Sequence, residues 1–134
     1  MKRTLVAATL IALAAFPALA DPCGLDQRSQ RVVVGYAVGA TAVPNDQKAP
    51  LAEFAETAKH RSGVCVFAQV DGQGSDEANK RVASQRAENV RKFLISQGVP
   101  ADVIKVAKQE KGFTLFGLLP KDQDDDRRVV VSHN

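Results

Sequence analysis

The sequence predicts an α+β fold, a two-layer α/β sandwich whose elements run strand, helix, strand, helix, strand, strand. Three observations carry that prediction. Short β-branched runs, too brief for helices, occur at 31–36, 64–70, 103–107 and 128–131. Two longer stretches place apolar residues at helical spacing between capping and breaking residues. The helical stretches are segregated from the closing run of strands, which puts helices in one layer and a sheet in the other.

The chain has 134 residues, 45% hydrophobic and 25% charged, the size and composition of one ordinary domain. Its formal charge of +3 is too small to make nucleic acid the default partner. Met1, Lys2 and Arg3 form a basic head, an apolar run follows from Leu5 to Phe16, and Ala18-Leu19-Ala20 offers small residues for a signal peptidase. Residues 1–20 therefore read as a cleaved export signal, leaving 114 exported residues at +1. The expected organisation is a signal at 1–20, an N-terminal segment at 21–30 and a domain at 31–134. No later run reaches the roughly 20 apolar residues of a membrane span. Asp21 and Pro22 separate Cys23 from the cleavage point, so it is not a lipidation site.

Two cysteines in an exported chain predict a disulfide from Cys23, in the polar lead-in, to Cys65, inside an apolar run. Such a bond fastens the N-terminal segment to the sheet and contributes up to about 4 kcal/mol on the chain-entropy account. Two unpaired thiols are the alternative. No metal site is expected, since neither Cys-x-x-Cys nor His-x-x-x-His spacing occurs.

Arg31 to Tyr36 reads as the first buried strand. After a loop rich in Gly, Ala and Thr, Asp46 reads as a helix N-cap, with Pro50 inside the first turn. Leu51, Phe54, Ala55 and Ala58 form the apolar stripe of that helix, and Arg61-Ser62-Gly63 ends it. In the second strand Val64, Val66, Ala68 and Val70 line one face, with Cys65, Phe67 and Gln69 on the other. Ser75 caps a second helix that carries Asp76 and Glu77 in its first turn, as the helix dipole favours, and stops at Gln97-Gly98. Val103 to Ala107 and Arg128 to Val131 supply the last two strands, separated by a loop that holds Phe113, Leu115, Phe116, Leu118 and Leu119.

Turning the second helix at about 100° per residue gathers Val82, Ala83, Ala87, Val90, Phe93 and Leu94 on one face, with two polar intruders, Asn79 and Arg86. The Arg86 guanidinium must either snorkel out of that face or meet a carboxylate there. Asp71 is the candidate carboxylate, because it lies where the second strand turns through Gly72-Gln73-Gly74 into the helix. An acid, a base and an amide at one strand-to-helix corner, beside unpaired helix N–H groups, suit a ligand carrying both an ammonium and a carboxylate. The alternative is an Asp71–Arg86 ion pair that only locks the corner. A buried contact would mark the lock, and solvent-facing heads would mark the ligand site.

The register of these residues resembles the OmpA-like C-terminal domain family, shared with the flagellar stator protein MotB and peptidoglycan-associated lipoprotein. In that family a strand ends in Gly-His-Thr-Asp, and a Gly then precedes a helix with Asn-x-x-Leu-Ser-x-x-Arg-Ala. This chain has Ala68-Gln69-Val70-Asp71, then Gly74, then Asn79-x-x-Val82-Ala83-x-x-Arg86-Ala87. Val90, Phe93-Leu94, Gly98-Val99 and Val103-Ile104 continue the likeness, and Arg127-Arg128-Val129 is similar to the family's closing Asn-Arg-Arg-Val. The resemblance implies a non-catalytic periplasmic module that binds the diaminopimelate of peptidoglycan stem peptides. In that role Asp71 accepts the ligand ammonium, Arg86 pairs with its carboxylate, and Asn79 and Arg127 add hydrogen bonds.

The chain departs from the pattern at Ala68-Gln69-Val70, at Val82-Ala83 and at Asp126, which stands where Asn usually precedes Arg-Arg. These departures, with the apolar loop from Phe113 to Leu119, point to an alternative: a domain that has kept the fold, lost peptidoglycan and serves as an interaction module for envelope proteins. Gly72-Gln73-Gly74-Ser75 lacks the lysine of a phosphate-cradling loop, and neither His60 nor His133 has a nucleophile beside it in sequence. The acidic run at Asp122, Asp124, Asp125 and Asp126 lacks the Gly and Glu of a calcium loop. No cofactor and no enzyme activity are expected.

Overall fold

In the computed structural model the residues described are 23–24, 30–69, 76–108 and 127–134. The expected signal at 1–20, Asp71 with its glycine turn, the Ser75 cap, the loop from Phe113 to Leu119 and the acidic run at 122–126 lie outside them. The elements are β1 (Gln30–Gly35), α1 (Asn45–Ala58), β2 (Val64–Ala68), α2 (Asp76–Ser96), β3 (Ile104–Lys108) and β4 (Arg128–His133). The predicted order and the mixed α+β class are found, with one short 3-10 turn at Ala101–Val103 added before β3.

The strands form one sheet in the order β1-β4-β2-β3. β4 is antiparallel to both β1 and β2, while β2 and β3 run parallel across the α2 connection. β1 and β2 therefore point the same way with β4 inserted between them. Their C-terminal ends and the start of β4 meet at one end of the sheet, where Arg127 and the Arg86 guanidinium lie.

Alternation along the strands splits the sheet into two faces. Val34, Val64, Val66, Ala68, Val129 and Val131 face the helices and join one core with Leu51, Phe54, Ala55, Ala87, Val90 and Leu94. Phe54, fully buried, also stacks its ring at 5.2 Å from that of His133, which is itself 1% exposed. Burying each large apolar side chain contributes about 1.5–3 kcal/mol before entropy is set against it. On the other face Cys65, Val130 and Ser132 are buried as well, and Cys65 is bonded to Cys23 with a Cα–Cα separation of 5.7 Å. The expected disulfide is present.

Several boundaries differ from the sequence reading, each for a local reason. β1 closes at Gly35, and Tyr36 follows it. Asp46 is not the N-cap of α1: Pro44 holds that position in an extended conformation, with no side-chain hydrogen bond, and Asp46 lies in the first turn where its charge suits the dipole. Pro50 is consequently the sixth helical residue and not part of the first turn, and the hydrogen bond it lacks is the one to the Asp46 carbonyl. α1 ends at Ala58, before Arg61-Ser62-Gly63: Lys59 still makes a helical bond to Ala55, but the His60 and Arg61 N–H groups reach back only three residues, to Thr57 and Ala58, in tighter turns. The strand from Val64 is assigned to Ala68, after which the Gln69 N–H still bonds the Arg128 carbonyl. β3 starts one residue late, at Ile104, because Val103 belongs to the 3-10 turn.

α2 stops as read from the sequence. Gly98, at φ +99°, lets the Val99 N–H reach the Leu94 carbonyl and the Gly98 N–H reach that of Ile95, a Schellman closure. β4 is longer than the apolar run suggested and continues through Ser132 and His133, both buried. Beyond it Asn134 clamps the turn before β2. Its side chain accepts from the Gly63 N–H and donates to Ser62 Oγ, and its own N–H bonds the Gly63 carbonyl. No helix among the described residues is long and apolar enough to cross a membrane.

Candidate functional site

At the end of the sheet the strand register sets Gly35 beside Arg128 and Ala68 beside Val129. One step further out, the Tyr36 N–H donates to the Arg127 carbonyl at 2.9 Å, and the Gln69 N–H donates to that of Arg128 at 3.0 Å. Gln69 and Arg128 also meet through their side chains, with Nε donating to Oε1 at 2.6 Å. Three strands are thus tied together at their ends by residues that sit just at or beyond the ladder.

α2 lays its apolar stripe over this end. Ala83, Ala87, Val90 and Leu94 are buried as the helical wheel requires, and Arg86 is buried with them at 2% exposure. Its guanidinium does what the sequence did not foresee. Nε donates to the Ala40 carbonyl at 2.7 Å and Nη2 to the Ala37 carbonyl at 3.2 Å. Cζ also stands 4.8 Å from the centre of the Tyr36 ring, within cation–π range. One turn along, Asn89 Nδ2 donates to the Thr41 carbonyl at 2.9 Å. Three side-chain bonds from α2 therefore hold the β1–α1 loop against the helix.

Tyr36 is the hub of this arrangement. It is 7% exposed, its backbone is bonded to Arg127 and its ring carries the Arg86 guanidinium. Its hydroxyl finds no hydrogen-bond partner among the described residues. Burial pushes the phenol up to about 12, with the Arg86 charge pulling the other way, so it stays protonated at neutral pH.

Of the four candidate ligand residues, Arg86 and Arg127 are brought together through Tyr36. Asn79 lies half-buried on the same helix stripe, two turns before Arg86. Asp71 is outside the described residues. Arg86 neither snorkels into solvent nor depends on a carboxylate alone, because backbone carbonyls also solvate a buried cation. Tyr36, Asn89 and the Gln69–Arg128 pair were not singled out in the sequence. Asn89, one turn beyond Arg86, had a readable signal in that spacing.

A four-stranded sheet in this order with two helices on one face is the fold this chain shares with solved OmpA-like domains. The OmpA family model matches residues 35–115, and the chain belongs to that family. Outer membrane protein A of Serratia marcescens is 42% identical over 41 residues, which is 31% of this chain and 11% of that protein. The chain thus spans about a tenth of the length of that relative. Among solved structures it is similar to the peptidoglycan-associated lipoprotein from Burkholderia pseudomallei, with a TM-score of 0.65, 21% identity, and coverage of 76% of this chain and 89% of that one. It is similar also to the periplasmic domain of Helicobacter pylori MotB, at a TM-score of 0.60 and 18% identity, covering 81% and 76%. At these identities the structural likenesses speak for the fold.

Proposed function

We propose that this chain is a periplasmic, non-catalytic module that binds peptidoglycan stem peptides by their diaminopimelate residue. Domains of the OmpA family typically bind peptidoglycan in the envelope. The observation that supports the reading in this chain is Arg86, a charged group held on the buried face of α2 at the end of the sheet. In this reading Asp71 accepts the ligand ammonium, Arg86 takes the carboxylate, and Asn79 and Arg127 bond the flanking peptide. The chain reaches the periplasm by a signal cleaved after Ala20, so mass spectrometry of the envelope fraction finds a mature chain starting at Asp21, two hydrogens lighter than the free dithiol.

The deciding experiment is a pull-down with purified sacculi. The mature protein sediments with them, and Asp71→Ala and Arg86→Ala each weaken sedimentation by about tenfold or more, as loss of a charge-assisted pair requires. Arg86 also holds the β1–α1 loop, so Asp71→Ala, with its melting curve, carries the decision. Wild type and both variants binding equally weakly would sink the proposal.

A second reading has one observation behind it: the Arg86 fork is engaged by the domain's own Ala37 and Ala40 carbonyls. In that reading the corner is a lock and the domain docks an envelope protein, and the same pull-down shows no sacculus binding by the folded wild type.

A further inference from the structure

The Nε and Nη2 edge of a guanidinium is the fork that a carboxylate grips with its two oxygens. In Arg86 the Nε prong donates to the Ala40 carbonyl and the Nη2 prong to the Ala37 carbonyl. These are neutral stand-ins for an anion, and the Ala37 bond is the longer at 3.2 Å. Both acceptors belong to a loop of small residues whose Val38 is 80% exposed and whose Gly39 has φ +72°.

The ring under the same guanidinium carries a hydroxyl donor. The Tyr36 hydroxyl is buried and has no partner among the described residues, although buried polar groups are nearly always hydrogen-bonded. A phenylalanine would fill the same space, carry the same cation on its ring and leave no hydroxyl to satisfy. Among the described residues the hydroxyl therefore has no use that its ring does not already supply. Like any phenol it is protonated, and so a donor, at neutral pH, and burial pushes its ionisation further up.

We propose that the Tyr36 hydroxyl is a ligand-binding group, donating to the carboxylate that takes the Arg86 fork when the Ala37 and Ala40 carbonyls give it up. The site becomes a three-donor carboxylate pocket: two guanidinium N–H groups and one phenol. The inference rests on the peptidoglycan reading above and adds to it the residue that recognises the free carboxylate of diaminopimelate.

The test uses the mature protein and two soluble stem peptides, one containing diaminopimelate and one containing lysine, which is the same side chain without that carboxylate. Calorimetric titration gives tighter binding of the diaminopimelate peptide by wild type. Tyr36→Phe lowers that affinity about tenfold, as loss of a bond to a charged group predicts. The loss is confined to the peptide that carries the carboxylate, and the thermal midpoint does not fall. Equal binding of the diaminopimelate peptide by wild type and Tyr36→Phe, or equal losses on both peptides, overturns the assignment while leaving the peptidoglycan reading standing. If wild type binds neither peptide nor sacculi, the peptidoglycan reading fails and the assignment falls with it.

Discussion

Arg86 and Tyr36 show how a buried charge is tolerated at the level of single side chains. A cation taken out of water needs acceptors, and the Ala40 and Ala37 carbonyl oxygens at 2.7 and 3.2 Å are two of them. Lysine keeps the charge but cannot present the planar fork. Arg86→Lys is expected to cost roughly 2–4 kcal/mol, read as a lower urea midpoint; a change under about 0.5 kcal/mol would show that the loop bonds matter little. The phenol gives a pH signature. Below about pH 10 it is neutral in folded and unfolded chains and adds no pH dependence. Between there and about 12 only the unfolded chain ionises, so stability falls with rising pH, by roughly 2–3 kcal/mol in all. Tyr36 is the only tyrosine and the chain has no tryptophan, so phenolate absorbance follows it alone. Tyr36→Phe removes that alkaline loss. The helical wheel made Arg86 legible as an intruder on an apolar face. Its carbonyl acceptors were not legible, since backbone oxygens carry no residue signature and the β1–α1 loop has no periodicity to place it.

Among the elements, α2 was the most readable, because its stripe and its glycine stop are both local signals. Gly98 holds φ +99°, and a Cβ there would meet only Lys59 Cδ at 3.9 Å. Space is available, so the cost of Gly98→Ala is backbone strain, about 1 kcal/mol or somewhat more. A circular-dichroism urea titration checks it, and an unchanged midpoint would mean that the turn relaxes. α1 was misjudged at both ends for one reason: Asp46 and Gly63 resemble a cap and a stop, while the chain uses Pro44 to enter and tight turns to leave. β4 was cut short because Ser132 and His133 look polar, and in the fold their burial comes from the strands on either side. The Asn134 clamp belongs to the same region. Asn134→Ala removes two side-chain bonds across the turn at Ser62 and Gly63 and is expected to lower stability by about 1–2 kcal/mol. Faster amide exchange at Gly63 would locate the effect, and unchanged exchange there would contradict it.

For the whole molecule, fold class and element order followed from short β-branched runs and helical spacing, because both are local. The strand order did not, because the partner of each strand is chosen across long stretches of chain. The Cys23–Cys65 bond spans 42 positions and encloses β1 and α1, so it constrains the part of the core they supply and not only the terminus. Replacing both cysteines by serine is expected to lower stability by up to about 4 kcal/mol. The comparison is a pair of urea curves for the oxidised protein and the variant, and coincident curves would mean that the bond adds nothing to the folded state.

The placement of β4 has a consequence in time. β1 and β2 never touch as neighbours; the strand that joins them is made from residues 128–133. A ribosome adding about 5–20 residues each second releases β1 roughly 5–20 s before that strand exists. Until then β1 has no partner strand and nothing joins it to β2 in one sheet.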